Sequence, residues 1–296
     1  FFGYWILFAA EMSLIRFPQG PDGRWEPVLA DQPPLWLSLT VLVVCGISCL
    51  VTLRYLLGLR RERARLWSVS EPGGNDVIHI VAWMHIYQAF SLFVYGLFRE
   101  APFFAKGTVG GAFESAAFQL LLLLVIPLWF WGRWEAIGLR RPEHMLRMFL
   151  VLLLMMVLIS QFLDVFVTKP VADLLDLSLQ SEREQQIEKE IIQAKQTGIE
   201  AVAASILVIG LLVPLAEELL FRGVVQTYLV NRLGAVAGIL LTSMWFALLH
   251  LDPAFFAPLF VIGAGLGVIR HRYRSIWGAV LLHAVNNMAG VLYYFP

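Results

Sequence analysis

AVAASILVIGLLVPLAEELLFRG, residues 201–223, decides what kind of protein this is. Its first sixteen residues hold no Asp, Glu, Lys or Arg, and the apolar run passes through Pro214 into Glu217, Glu218 and Arg222 with no turn-forming cluster. A helix needs about 20 predominantly apolar residues to cross a bilayer. Residues 201–216 are too few alone, so 199–231 is read as one long helix, kinked where the proline ring removes a backbone hydrogen bond. Ionisable groups inside such a helix are costly, and they are functional candidates by default.

Working outward, comparable apolar runs occupy 35–57, 77–98, 112–132, 145–163, 233–251, 253–269 and 275–294. The expected fold class is all-α: a polytopic integral membrane helix bundle of about eight transmembrane helices. Composition agrees. The 296 residues are 59% hydrophobic and 15% charged, against roughly 25% charged in an average soluble domain. The lipid bilayer is therefore the first partner. Net charge is zero and the basic residues are scattered between apolar runs, so no nucleic-acid partner is expected. The chain opens FFGYWILFAA without Met; this reads as part of a first apolar segment and is not counted as a full span. Cys45 and Cys49 lie four apart inside an apolar run and read as small packing residues. A disulfide framework or metal site would need more Cys, or Cys with suitably spaced His.

The chain divides into three. Residues 1–168 hold transmembrane helices that carry no legible motif. Residues 169–198 form a polar charged loop or surface helix. There SEREQQIEKEIIQAK (181–195) is rich in helix-forming Glu, Gln and Lys, with Ile187 and Ile191 on one face. Residues 199–296 carry the intramembrane polar groups. Twelve Arg residues lie in one set of alternate loops, at 60–65, 133–147, 232 and 270–274, against eight Lys and Arg in the other set. The first set is expected in the cytoplasm. No internal repeat, P-loop, GxGxxG, HExxH or GxSxG is present.

Three short patterns place polar side chains within spans. In AEELLFRG (216–223), Glu218 and Arg222 are four apart, with Glu first, so they can pair on one face. Glu217 lies about 100° around the helix and is left without a local counter-charge, as suits a general base. FALLH places His250 at the end of an apolar helix, where a satisfied interfacial histidine is the ordinary reading. In HAVNN (283–287), His283 and Asn287 share a face. Such donors can stabilise an oxyanion or simply bond neighbouring helices. Gly263 and Gly267 form a GxxxG that allows close helix packing.

Depth connects the three patterns. Glu217 and His250 flank a turn near Asn231–Gly234, each about 23–26 Å from it at roughly 1.5 Å per residue. By the same rise Asn287 lies about 21 Å from the turn RHRYR, with His283 one helical turn short of it. Base, imidazole and amide are thus expected to converge at one level.

These residues resemble the CPBP family, named for CAAX proteases and bacteriocin processing, which includes type II CAAX prenyl endopeptidases. The family pattern is EExxxR, then FxxxH, then HxxxN or HxxxD on successive transmembrane helices. Here it reads Glu217-Glu218-Leu-Leu-Phe-Arg222, then Phe246-Ala-Leu-Leu-His250, then His283-Ala-Val-Asn-Asn287. The resemblance covers about 199–296 and implies a catalytic transmembrane bundle that hydrolyses peptide bonds through a glutamate-activated water. By position it implies that Glu217 activates water with help from His250. His283 and Asn287 would stabilise the oxyanion, while Glu218, Arg222 and Phe246 would support the site or contact substrate. The implied partner is a peptide or protein at the membrane, lipidated or not, met in the cell (plasma) membrane. No cofactor is expected. Two alternatives stay open: a non-proteolytic scaffold or immunity-type factor, and a metal-dependent protein in which Glu217, Glu218, His250 and His283 hold zinc.

Overall fold

The computed structural model describes residues 1–30, 33–59, 71–97 and 102–294. Its elements are helices apart from one small β-ribbon. Helix α1 is Phe2–Met12, and strands β1 (Ile15–Arg16) and β2 (Val28–Leu29) pair antiparallel behind it. Then come α2 (Leu35–Leu59), α3 (Gly74–Leu97), α4 (Val109–Ser115) and α5 (Ala117–Trp129). Next are α6 (Met145–Leu175), α7 (Glu182–Thr197) and α8 (Ile199–Leu233). The chain closes with α9 (Ala235–Leu248), α10 (Phe256–Tyr273) and α11 (Trp277–Tyr293).

This is an all-α membrane bundle, but the expected eight spans are not all matched by long apolar helices. Among the described residues four are long and apolar enough to cross: α2, α3, α6 and α8. A fifth arises if α4 and α5 count as one span, and these two are bent 62° apart where one straight helix was expected over 112–132. Helix α9 has only 14 residues, because the helix stops at Leu248 before the turn holding His250. Helix α10 ends in Arg270, His271 and Arg272, which dilute its apolar character.

Helix α8 runs unbroken through Pro214, as expected, by widening rather than breaking. Val208–Leu212, just before the proline, is π-helical, and Leu219–Val225 is π-helical again after the glutamates. A π-turn leaves carbonyls free of the i→i+4 ladder, which accommodates a residue without an N–H. At the end of α8 the chain turns at Gly234, whose φ of +85° suits a residue without Cβ. The expected α8–α9 hairpin follows.

The buried core gathers around the middle of α8. Leu219, Leu220 and Val224 pack with Val81 and Met84 of α3, Leu122 and Ile126 of α5, Phe246 of α9 and Val280 of α11. Burial of such side chains stabilises by about 1.5–3 kcal/mol each. On α3, Asp76 takes a hydrogen bond from Trp129 Nε1 at 2.7 Å and an ion pair from Arg133 at 3.2 Å, tying α3 to the end of α5. The outward faces of α2 and α6 are lined with exposed Leu, Val and Phe, as lipid contact requires.

The amphipathic segment is a helix, α7, capped by Ser181, whose hydroxyl accepts from Glu184 N at 3.2 Å. Its apolar face is buried at Ile191 and Ala194. The basic stretch 60–65 and Arg99 fall outside the described residues. Cys45 and Cys49 are free and half-buried on α2.

Candidate active site

Helix α8 presents its two glutamates differently. The Glu218 side chain is 0% exposed and pairs with Arg222, also 0% exposed, at 3.1 Å. The Glu217 side chain is 13% exposed. It faces a cavity of about 370 Å³ lined also by Tyr4, Glu11, Gln88, Arg183 and His250. One carboxylate is sealed with a counter-ion and its neighbour is open.

Arg222 is held from two more sides. Its Nη2 donates to Gly263 O at 3.0 Å, and its guanidinium lies 4.6 Å from the centre of the Phe246 ring. One turn on, Gln226 Nε2 donates to Gly267 O at 2.9 Å. The GxxxG of α10 therefore serves the site. A Cβ at Gly263 would stand 3.2 Å from Phe246 and Ser243, and one at Gly267 would stand 2.9 Å from Gln226. The bare backbone is what lets two polar side chains of α8 reach its carbonyls.

His283 meets both glutamates. Its Nδ1 is 2.9 Å from Glu218 Oε1, and its Nε2 is 3.9 Å from Glu217 Oε2, too far for a direct hydrogen bond. His250 lines the same cavity as Glu217, and its Nδ1 lies 2.8 Å from Phe246 O. A carbonyl only accepts, so Nδ1 carries the proton and Nε2 is the free nitrogen when the ring is neutral. Phe246 packs edge-on against both imidazoles, with centroid separations of 4.7 Å to His250 and 5.9 Å to His283.

Asn287 stands apart from this group. Its Nδ2 donates to Ile209 O at 3.2 Å, a carbonyl of the π-helical stretch before Pro214. The level count put Asn287 beside Glu217 and His283 a turn short; the structure brings His283 to the glutamates. The count assumed uniform rise, whereas the π-helical Leu219–Val225 lies between Glu217 and the turn, and wider turns advance less per residue. Among the described residues no three His, Cys, Asp or Glu side chains are grouped so as to hold a metal ion.

Several cavity residues escaped sequence analysis. Glu11 of α1 lines the cavity and accepts from Gln88 Nε2 of α3 at 2.9 Å. Its signal, a carboxylate ending an apolar run, was present, but that run was set aside as an incomplete span. Gln88 and Gln119 also line the cavity, and as lone amides in apolar runs they belong to no motif. Arg183 reaches the cavity from α7.

Fold and site define a multi-pass membrane protein with a carboxylate–imidazole cluster inside its helical bundle. Residues 199–289 match the family model described as Rce1-like, type II CAAX prenyl endopeptidase Rce1-like. This segment is thus similar to the CPBP/CAAX protease family its motifs resemble, and that similarity implies a peptidase with a peptide or protein substrate at the membrane. No curated protein and no solved structure gave a significant match.

Proposed function

We propose that this protein is a glutamate-dependent intramembrane endopeptidase that cuts a membrane-associated protein or peptide, lipidated or not, in the cell membrane. The observation that carries the proposal is the asymmetry of the two glutamates: Glu217 opens to the cavity beside His250, while Glu218 is spent on Arg222 and His283. Glu217 takes a proton from water, and the water oxygen adds to the scissile carbonyl carbon. His250 assists through Nε2. The oxyanion that forms is stabilised from the α11 side by the second N–H of Asn287, the first being bonded to Ile209 O, and by His283 Nε2–H in the imidazolium form, since Nδ1–H already donates to Glu218 Oε1. Glu217 then returns its proton to the leaving amine as the C–N bond breaks.

Hydrolysis proceeds without a bound metal in this scheme. Its support is chemical: the polar partner of His283 on α11 is an amide, a poor zinc ligand, and Arg222 already neutralises Glu218. Activity lost to a strong chelator and restored by zinc would replace it with the metal-dependent alternative. The proposal as a whole is tested by comparing protein C-termini in membranes from cells carrying wild-type protein or Glu217→Gln. New C-termini dependent on the wild type are expected. Identical sets would leave the scaffold alternative standing.

A further inference from the structure

The cavity at Glu217 has one wall from outside the membrane-spanning helices. Arg183, in the first turn of α7, lines it together with Glu217 and His250. Among the described residues it is the cavity's one Lys or Arg. Of the two carboxylates in the lining, Glu11 accepts from Gln88, and Glu217 Oε2 lies 3.9 Å from His283 Nε2. Arg183 makes no ion pair with either, nor with any described residue, and it shares the cavity wall with His250. Its backbone is not loose. Ser181 Oγ donates to Asp252 Oδ2 at 2.5 Å, two residues beyond His250, and Ile191 and Ala194 bury the face of α7 that follows. A guanidinium with unspent donors is thus held at the wall beside His250. Its planar fork matches a carboxylate better than any neutral partner.

We infer that Arg183 holds a carboxylate of the peptide whose scissile bond is presented to Glu217 and His250, so that the enzyme cuts at a set distance from an anionic group. The inference rests on the peptidase reading above. The carboxylate is supplied either by the free C-terminus of the substrate or by an acidic side chain near it.

The test uses the full chain reconstituted in nanodiscs and three internally quenched peptides sharing one S-farnesyl-cysteine sequence. The first has a free C-terminal carboxylate, the second a C-terminal amide, and the third an amide following a terminal Glu. The free acid should exceed the amide in kcat/KM by about tenfold or more, mostly through KM, the size of one charge-assisted hydrogen bond pair. Arg183→Gln should bring the acid down to the level of the amide, and Arg183→Lys should restore part of the difference. Recovery with the Glu-amide peptide in wild type but not in Arg183→Gln assigns the side chain as a source. Equal cleavage of acid and amide by wild type, or a preference that survives Arg183→Gln, overturns the anion site and leaves the peptidase standing. If no peptide is cut but the free acid binds Glu217→Gln protein and loses affinity on adding Arg183→Gln, the anion site stands and the peptidase reading falls. Neither cleavage nor binding removes both.

Discussion

Glu218 and Arg222 form the site's sealed half, with both side chains fully buried. Removing one charge leaves the other in a low-dielectric core, at a cost of about 3–5 kcal/mol, whereas removing both leaves no orphan charge. Glu218→Ala and Arg222→Ala should each lower thermal stability in detergent, and the double variant should lose less than the sum. The expected coupling is about 1–3 kcal/mol. Strict additivity would remove the pair from the account. Residue-level chemistry was the most legible part of the sequence, because i,i+4 spacing on a helix forces side chains onto one face whatever the neighbours do. The Glu218–Arg222 pair follows that rule. The contact between His283 and Glu218 was not legible, since it depends on how α8 and α11 pack.

Among the elements, α8 and α7 carry the account. The π-helical stretches of α8 set which face each glutamate presents and offer Ile209 O to Asn287. Sequence analysis placed one long helix there and a kink at Pro214. It could not place the π-turns, because they are chosen by tertiary packing and not by propensity. Helix α7 lies where its amphipathic pattern put it, but its polar end was unread: the Ser181–Asp252 bond and the place of Arg183 in the cavity wall arise only after folding. Burial, with Asp252 second and Asp164 adding to it, pushes the Glu184 carboxyl above its ordinary range, against the nearby Arg183. A folded pKa above the unfolded one means the docked helix favours the protonated acid. That contribution to docking is complete below the ordinary carboxylate value and is lost as pH rises through the raised one. Hydrogen-exchange protection factors across 182–197 should therefore fall as pH rises through that window. Glu184→Gln should flatten the profile, and an unchanged profile in that variant would contradict the assignment.

Two groups of loop contacts lie at different ends of the described bundle. At one end Arg140 Nε donates to Arg274 O at 2.9 Å, and Ser275 Oγ donates to Arg140 O at 2.7 Å, joining two loops of the basic set. At the other end Arg24 pairs with Asp173 at 2.7 Å, Lys106 with Glu190 at 3.6 Å, and Ser181 bonds Asp252. Glu217, His250 and Arg183 share a cavity toward this second end. With the basic end in the cytoplasm, the cavity opens outward. A membrane-impermeant thiol reagent applied to intact cells should then label Gln186→Cys and not Arg272→Cys, in a background lacking Cys45 and Cys49; both positions are exposed. The reverse pattern would turn the molecule over and bring the site to the cytoplasm, where prenylated C-termini are made. Whichever way the cavity faces, the central claim is that Glu217 is the base. Turnover of the S-farnesyl peptide by reconstituted protein, wild type against Glu217→Gln, tests it most directly. The Gln variant keeps the shape and loses the proton acceptor, so the rate should fall by at least about 100-fold. A folded Gln variant that cuts near the wild-type rate would contradict the account.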